Sequence, residues 1–365
     1  MWLFIEPVDV WLFRDGRPFD AGADHRARSL FPPNPTTVQG ALRAKVLEVY
    51  AVDLNAYRAG QVNLPDVIEQ IGQPPRPELQ RPGTVGNLRL RGPFLARNDD
   101  DKVMPYFPCP ADVVITDRVM TLHPEPHPPF SANWPEGVEI KPLVYEADKP
   151  AKQDRVWFSA DALSAYLRGK TPEAKELVDE LKLFARESRF GVGIDDSVKR
   201  PDEGMLYQVE YIRPADHVGL LVEVHGLEKS ESLWRQQGLL ALGGESRAAR
   251  YTVITRPAAW PESDKSENGF KLYLATPTWL GGGWQASQWS LFFDPAPKLI
   301  SAALGKPQFV GGWDVANNRQ KPMRRYVPAG SVYYFEGQAG ATGVPVCDDE
   351  PDRQIGFGQY FSGRW

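Results

Sequence analysis

Cysteine is almost missing from this sequence, with only Cys109 and Cys347 among 365 residues. Two thiols exclude a disulfide framework and any Cys-based zinc site, and they suit a reducing cytoplasm. Histidine is also scarce. Its one close pair, His123 and His127 in HPEPHPPF, is surrounded by prolines that forbid the helical face a zinc pair would need. No apolar run approaches membrane-spanning length. The opening MWLFIEPVDVW carries no basic leader and meets Glu6 before a hydrophobic segment of signal length is complete, so a soluble intracellular protein is expected. No P-loop, Ser-His-Asp order or paired catalytic carboxylates stand out.

What is present belongs to a folded chain. Hydrophobic residues make up 42% and charged residues 24%, while 34 prolines and 32 glycines are dispersed and predict long irregular loops rather than a disordered tract. The length favours two domains. A formal charge of -5 argues against indiscriminate coating of nucleic acid, but phosphate contacts depend on local patches. Arg14, Arg17, Arg26 and Arg28 cluster early, Arg89, Arg91 and Arg97 share one strand-like stretch, and Arg319, Lys321, Arg324 and Arg325 follow the glycines of FVGGWD. Acidic residues bunch at Asp99 to Asp101 and at Asp348 to Glu350. For any single cluster the simpler reading, a solvated loop, is favoured.

The apolar patterning predicts an α+β chain. WLFIEPVDVWLF reads as a strand interrupted at Pro7. A basic loop leads to a helix over 35–50, with Val38, Ala41, Leu42, Val46 and Val49 on one face, Asn34 as its cap and Pro35 in its first turn. NLRLRGPFLAR and ADVVITDRVMTL read as strands, SADALSAYLRG and TPEAKELVDELKLFARE as helices, and GMLYQVEYIRP again as a strand. The order is approximately β-α-β-β-α-β, the ferredoxin-like succession. The second half repeats it loosely: HVGLLVEVHG as a strand, ESLWRQQGLLAL as a helix, then strands in ARYTVITR, FKLYLATPT and GSVYYFE. We therefore expect domains at 1–214 and 215–365, without a detectable sequence repeat.

Three motifs could carry chemistry. IGFGQYFSGRW, with Gly356 and Gly358, is not a dinucleotide fingerprint, which must open a helix after a strand. Its glycines let the backbone approach another backbone, of protein or of RNA. LGGESRAAR offers one carboxylate, Glu245, where two-metal chemistry needs more, so Arg247 and Arg250 are candidates for phosphate or a partner carboxylate, or the segment is a plain turn. His25 stands near Arg26 and Arg28, where it could act as general acid or base in RNA cleavage, bind phosphate or be simply solvated.

Taken in order, DGRPF, SLFPPNPTTVQGALRAK, RGPFLAR, YFPCPADVV, ESRFGVGID, EGMLYQVEYIR, LGGESR, GGWD, KPMRRYVPAGSVYYF and GFGQYFSG resemble the family of type III-B CRISPR RAMP proteins that form the third subunit of the Cmr effector complex. The likeness runs nearly end to end. It implies two tandem ferredoxin-like, RRM-related RAMP domains and a non-catalytic, cytoplasmic RNA-binding subunit of an antiviral ribonucleoprotein. Such a subunit would hold the 5′ tag of the guide RNA, dock the large cyclase-like subunit and touch the backbone RAMP subunit, and no cofactor or metal is implied. No RNP1 run is present, so loops and Gly-rich segments are better candidates for RNA than the sheet face. The candidate RNA-binding residues are Arg17, His25, Arg26, Arg28, Arg247, Arg250, Arg319, Lys321, Arg324, Arg325, Gly356 and Gly358. Two other classes stay open: an endoribonuclease of the same superfamily using His25, and a protein-only scaffold. The type III-A counterpart is a further possibility.

Overall fold

The computed structural model describes residues 1–15, 26–74, 83–100, 102–128, 140–145, 155–195, 200–264, 269–314, 319–338 and 340–365. The chain forms two compact units, each assembled from three stretches: 1–93, 183–256 and 309–324 in the first, and 94–182, 257–308 and 325–365 in the second.

In the first unit Trp2–Pro7 is a central strand. Trp2, Leu3, Phe4 and Ile5 are all buried, so consecutive side chains are covered on both faces rather than alternating. The strand pairs antiparallel with Val218–His225 on one side, matching Leu3 to Val222, and with Ala248–Ile254 on the other, matching Leu3 to Val253. Pro7 ends it, as expected of a residue that cannot donate to a ladder. The helix Pro35–Val49 buries Val38, Leu42 and Val46 completely, one residue per turn along a single face. Pro35 occupies its first turn, but Asn34 makes no side-chain capping bond; its carbonyl accepts the Thr37 N–H at 2.9 Å instead.

A long antiparallel hairpin, Phe184–Asp195 with Arg200–Pro214, extends from the first unit. Its base is buried through Phe184, Tyr211 and Ile212, while Phe190 further along is 70% exposed. The two-residue strand Arg26–Ala27 runs parallel to Gln208 and Val209.

The second unit holds a four-stranded antiparallel sheet in the order Lys298–Ala303, Val332–Glu336, Gly269–Leu274, Tyr360–Gly363. Its two inner strands are buried on both faces. Ala160–Leu167 is a helix whose first turn is capped by Ser159, which accepts the Ala162 N–H at 3.2 Å.

The two sheets share an order that no sequence repeat announces. Four neighbouring strands of a larger, eight-stranded sheet, Trp2–Pro7, the start of Arg89–Asp99, Val218–His225 and Ala248–Ile254, numbered along the chain, lie as 4-1-3-2, and the sheet continues past both ends of this group. The strands from Gly269, Lys298, Val332 and Tyr360 also lie as 4-1-3-2. Pro214, the expected division point, ends the second hairpin strand within the first unit, and that unit's sheet runs on to Ile254.

Two expected helices are absent from the structure. Over 171–187, short 3-10 turns flank Leu177–Asp179, an edge strand pairing with Val156–Ser159, and Phe184 already begins the hairpin. The helix-like spacing of Leu177, Val178, Leu181 and Phe184 does not mark one buried face, since Leu181 is 66% exposed. Over 231–242 only one 3-10 turn forms, before Gln237–Ala241 pairs with Ala248–Ile254. Gly238 lies against Tyr251, where a Cβ would stand 2.5 Å from the ring hydroxyl. Cross-strand packing outweighs local helix propensity, which is worth only tenths of a kcal/mol per residue.

Candidate nucleic-acid interface

The turn Leu242 to Arg247 is shaped by close approach. Gly243 has φ 99°, and a Cβ there would meet the Leu12 carbonyl oxygen at 2.6 Å. The Gly244 N–H donates to that same carbonyl at 2.7 Å. Glu245 and Ser246 follow in the left-handed region, at φ 58° and 49°. The glycines thus serve a protein-to-protein approach, and the strained pair after them sends Glu245 and Arg247 toward Tyr211.

Around Tyr211 the first unit assembles a network of three arginines and three carboxylates. The Tyr211 hydroxyl donates to the Glu245 carboxylate at 3.1 Å, and Arg247 Nη2 donates to Glu245 Oε2 at 2.8 Å. The guanidiniums of Arg247 and Arg189 lie 4.7 and 4.9 Å from the Tyr211 ring centroid. Glu187 accepts from Arg189 Nε and Arg213 Nε, both at 2.6 Å. Asp9 accepts from Arg189 at 3.4 Å and Arg213 at 3.2 Å, and lies 3.8 Å from Arg247. The hydrogen bonds from Arg213 and Arg189 hold the Glu187 carboxyl below its usual range, and the same bonds raise both arginines. Burial, then Glu245, raises the Tyr211 hydroxyl. Tyr211 is buried while the charged side chains are partly exposed, so solvent screens the individual pairs and each contributes little stability. Their effect is orientation: planar cations are fixed against the Tyr211 ring, a geometry suited to phosphate forks.

A buried anchor ties the early basic loop to the same hairpin. Glu210, 8% exposed, accepts from Arg186 Nη1 at 2.9 Å and from the Ser29 N–H at 3.3 Å, while the Ser29 hydroxyl donates to the Glu210 carbonyl at 2.6 Å. Arg28, adjacent to Ser29, is exposed. A cleft of about 390 Å³ opens in the first unit between Phe13 and Arg14, the helix face at Thr37 and Gly40, and the Gly243–Gly244 turn.

The expected site residues are distributed unevenly. Arg17 and His25 lie outside the described residues, and Arg26 is placed only by its backbone pairing with Gln208. Arg247 joins the network, and Arg28 lies on the segment anchored to the hairpin by Ser29. Arg250 is exposed on its strand, opposite Glu6. Arg319 pairs with Asp314 through the backbone, the Lys321 N–H donates to the Gly312 carbonyl at 2.8 Å, and Lys321, Arg324 and Arg325 are exposed. Gly356 and Gly358 are buried in the second unit. Thr276 donates to the Gly356 carbonyl at 2.8 Å, and a Cβ on Gly358, at φ 70°, would lie 2.4 Å from the Val346 carbonyl oxygen. Their close approach is therefore to protein backbone. Arg186, Arg189, Arg213 and Tyr211 escaped sequence reading. The signal was the period-two mixture of Arg and Glu in FARESRF, hidden by the helix-like spacing that precedes it. Among the described residues, no group of three or more His, Cys, Asp or Glu could hold a metal ion.

Fixed arginines beside an aromatic ring, on a scaffold of antiparallel sheets, suit nucleic-acid handling, and the whole-chain comparison places the protein in the class of CRISPR-associated proteins. The family model described as CRISPR-associated protein (Cas_Cmr3) matches residues 3–365, and the chain belongs to that family. No curated protein matches it. Among solved structures it is similar to a chain of the type III-B Cmr-beta complex bound to cognate target RNA and AMPPnP, with a TM-score of 0.52 and 15% identity over 92% of this chain and 86% of the other. A chain of the same kind of complex bound to cognate target RNA alone gives a TM-score of 0.52 at 16% identity, with the same coverage. At these identities the likeness is one of fold.

Proposed function

We propose that the protein is a non-catalytic, cytoplasmic RNA-binding subunit of a type III-B CRISPR ribonucleoprotein, which holds the 5′ tag of the guide RNA and docks the large cyclase-like subunit and the backbone RAMP subunit. The observation that carries this reading is the arginine network on Tyr211, in a chain of the Cas_Cmr3 family. Phosphates that displaced Asp9, Glu187 or Glu245 from the guanidiniums would gain bidentate contacts already oriented for them. The exposed stretch with Lys321, Arg324 and Arg325 supplies further cations. Phe190, exposed on the hairpin, suits contact with a protein partner. The common 4-1-3-2 order supports a pair of ferredoxin-like domains. No helix among the described residues is long and apolar enough to cross a membrane.

The test is to express the tagged chain with its neighbouring genes, identify what copurifies by mass spectrometry and sequence the bound RNA. A large cyclase-like partner with small RNAs sharing one repeat-derived 5′ end is the expected result. Partner retained through high-salt washing without RNA would overturn the RNA-binding role in favour of a scaffold, and cleavage of repeat RNA by the isolated chain would overturn the non-catalytic one.

A further inference from the structure

An edge strand presents unpaired backbone donors and acceptors, and soluble proteins guard such rows with charge, proline or a covering segment. Three edges of the two larger sheets are guarded. In the four-stranded sheet, Lys298–Ala303 is covered at Lys141, whose N–H donates to the Ile300 carbonyl at 2.7 Å, and Tyr360–Gly363 at Asp264, whose N–H donates to the Ser362 carbonyl at 2.8 Å. At one end of the eight-stranded sheet, Leu177–Asp179 lies in the charge-rich run Glu173 to Lys182. The strand at the other end, Gln237–Ala241, carries neither charge nor proline in QGLLA.

The bonds this strand makes define the side it leaves open. The Leu242 N–H donates to the Arg247 carbonyl at 2.9 Å, and the Val253 N–H to the Gln236 carbonyl at 2.8 Å. Even-numbered residues therefore bond to the neighbouring strand, and Gln237, Leu239 and Ala241 turn their N–H and C=O groups outward over roughly 14 Å. Among the described residues, none of these groups has a partner. The same three residues place their side chains on one exposed face, where Leu239 is 55% exposed. Leu239 and Arg250 form a non-hydrogen-bonded pair, the closer of the two antiparallel spacings, so their side chains lie side by side. Val8, exposed, extends the apolar surface, since its N–H donates to the Ala248 carbonyl at 3.0 Å. The opposite face is closed by Leu240 and Tyr251, both buried.

Charge narrows the occupant. Arg250 and Arg235, the latter two residues ahead of the strand, are both exposed. Among the described residues neither enters an ion pair, not even Arg250 with Glu6 opposite it on the adjoining strand. We infer that this edge receives an extended acidic segment of a partner protein as an added strand, with an apolar side chain packed on Leu239 and carboxylates against Arg250 and Arg235. Backbone pairing supplies the affinity of such an addition, and the alternate side chains supply its specificity. A second copy of QGLLA would pair equally well but brings no carboxylate to the arginines. Nucleic-acid phosphates only accept, and would leave the three outward carbonyls unmet. The inference is independent of the RNA-binding reading above.

The test compares amide hydrogen exchange over residues 236–242 in the isolated full chain and in the assembly that copurifies with it, before and after nuclease treatment. The outward amides of Gln237, Leu239 and Ala241 are expected to exchange roughly tenfold more slowly in the assembly, with nuclease leaving that protection in place. Leu239→Pro removes only an outward donor, which an edge strand tolerates, and Arg250→Glu reverses the charge; thermal melting shows that each variant is folded. Both are expected to lose the protection and to retain roughly tenfold less of the protein that supplies it. In an Arg250→Lys assembly, carbodiimide coupling is expected to join the new amine to an acidic segment of that protein. Equal exchange in chain and assembly overturns the inference, as does a chain that copurifies no protein. Protection lost on nuclease treatment would assign the edge to RNA, and protection that rises with the concentration of the isolated chain would assign it to a second copy. A folded Leu239→Pro variant that keeps both partner and protection refutes strand addition. An assembly protected at this edge but lacking RNA would sink the RNA-binding reading and leave this one standing.

Discussion

Lys271 lies on the inner strand Gly269–Leu274 of the second unit, 1% exposed, with its ammonium 3.3 Å from the Tyr166 ring centroid. Nearby, Asp112 is wholly buried and accepts from the Tyr166 hydroxyl at 2.6 Å and from Tyr334. Burial pulls the Lys271 pKa down from 10.5 to about 8, while the Asp112 charge acts in the opposite direction. Below pH 8 both the folded and the unfolded chain carry the proton, and folding bears the full cost of burying the ammonium. Between pH 8 and 10.5 the folded chain has released a proton that the unfolded chain still holds, so this group's contribution to stability rises with pH. A gap of about 2.5 pH units at about 1.4 kcal/mol each makes that cost roughly 3 kcal/mol at neutral pH. Lys271→Met keeps an unbranched stem beside the ring and removes the charge. The variant is expected to unfold at higher urea than wild type at pH 7, by up to about 3 kcal/mol, a figure that already includes the attraction to Asp112. Its advantage should shrink by roughly 1 kcal/mol from pH 8 to pH 9. Cys109, whose thiol is pushed up to about 12, titrates in both proteins and cancels in the difference. Urea unfolding of both proteins at pH 7, 8 and 9 measures this directly. A difference that is flat with pH, or a wild type more stable than the variant at pH 7, would refute the reasoning.

Four further outcomes are expected. Gly243→Ala places a methyl 2.6 Å from the Leu12 carbonyl at a left-handed φ, and should cost about 1–3 kcal/mol in urea unfolding and weaken RNA binding together; unchanged stability would show that the turn can move. Arg189→Ala combined with Arg213→Ala should lower the magnitude of the slope of log affinity against log salt by up to about 2, one for each phosphate no longer neutralised, and an unchanged slope counts against the network as an RNA surface. Replacing Arg324 and Arg325 together by Ala should weaken guide retention and flatten its salt dependence, with retention measured from the RNA that copurifies. Gly358→Ala, with its methyl 2.4 Å from the Val346 carbonyl, should cost about 2 kcal/mol or more in urea unfolding, whatever its effect on RNA.

The legible parts of the fold were those with strong local signatures. The Pro35–Val49 helix shows its buried face at Val38, Leu42 and Val46, and the strands at Arg89, Val218, Gly269 and Val332 show dense apolar or alternating runs. The segments 171–187 and 231–242 were misread because their helix-like spacing competes with edge pairing that only neighbouring strands reveal. At the site, Arg247 and Arg28 were legible as cations in special loops. Asp9, Glu187, Arg189, Tyr211 and Arg213 were not, because their meaning depends on partners far away in the chain.

By itself, the sequence determined what nearest neighbours decide: where prolines stop strands, where a helix starts, which segments must be buried, and which ordered set of motifs marks a Cas_Cmr3 chain. Tertiary structure decided the repeated 4-1-3-2 strand order, the conversion of two helix-like stretches into edge strands, and the placing of Arg189 and Arg247 over the Tyr211 ring. The physical reason is one of scale. Local propensities are worth tenths of a kcal/mol per residue, whereas a buried strand pairing or a packed side chain is worth several times that, and its partner can lie about 200 residues away.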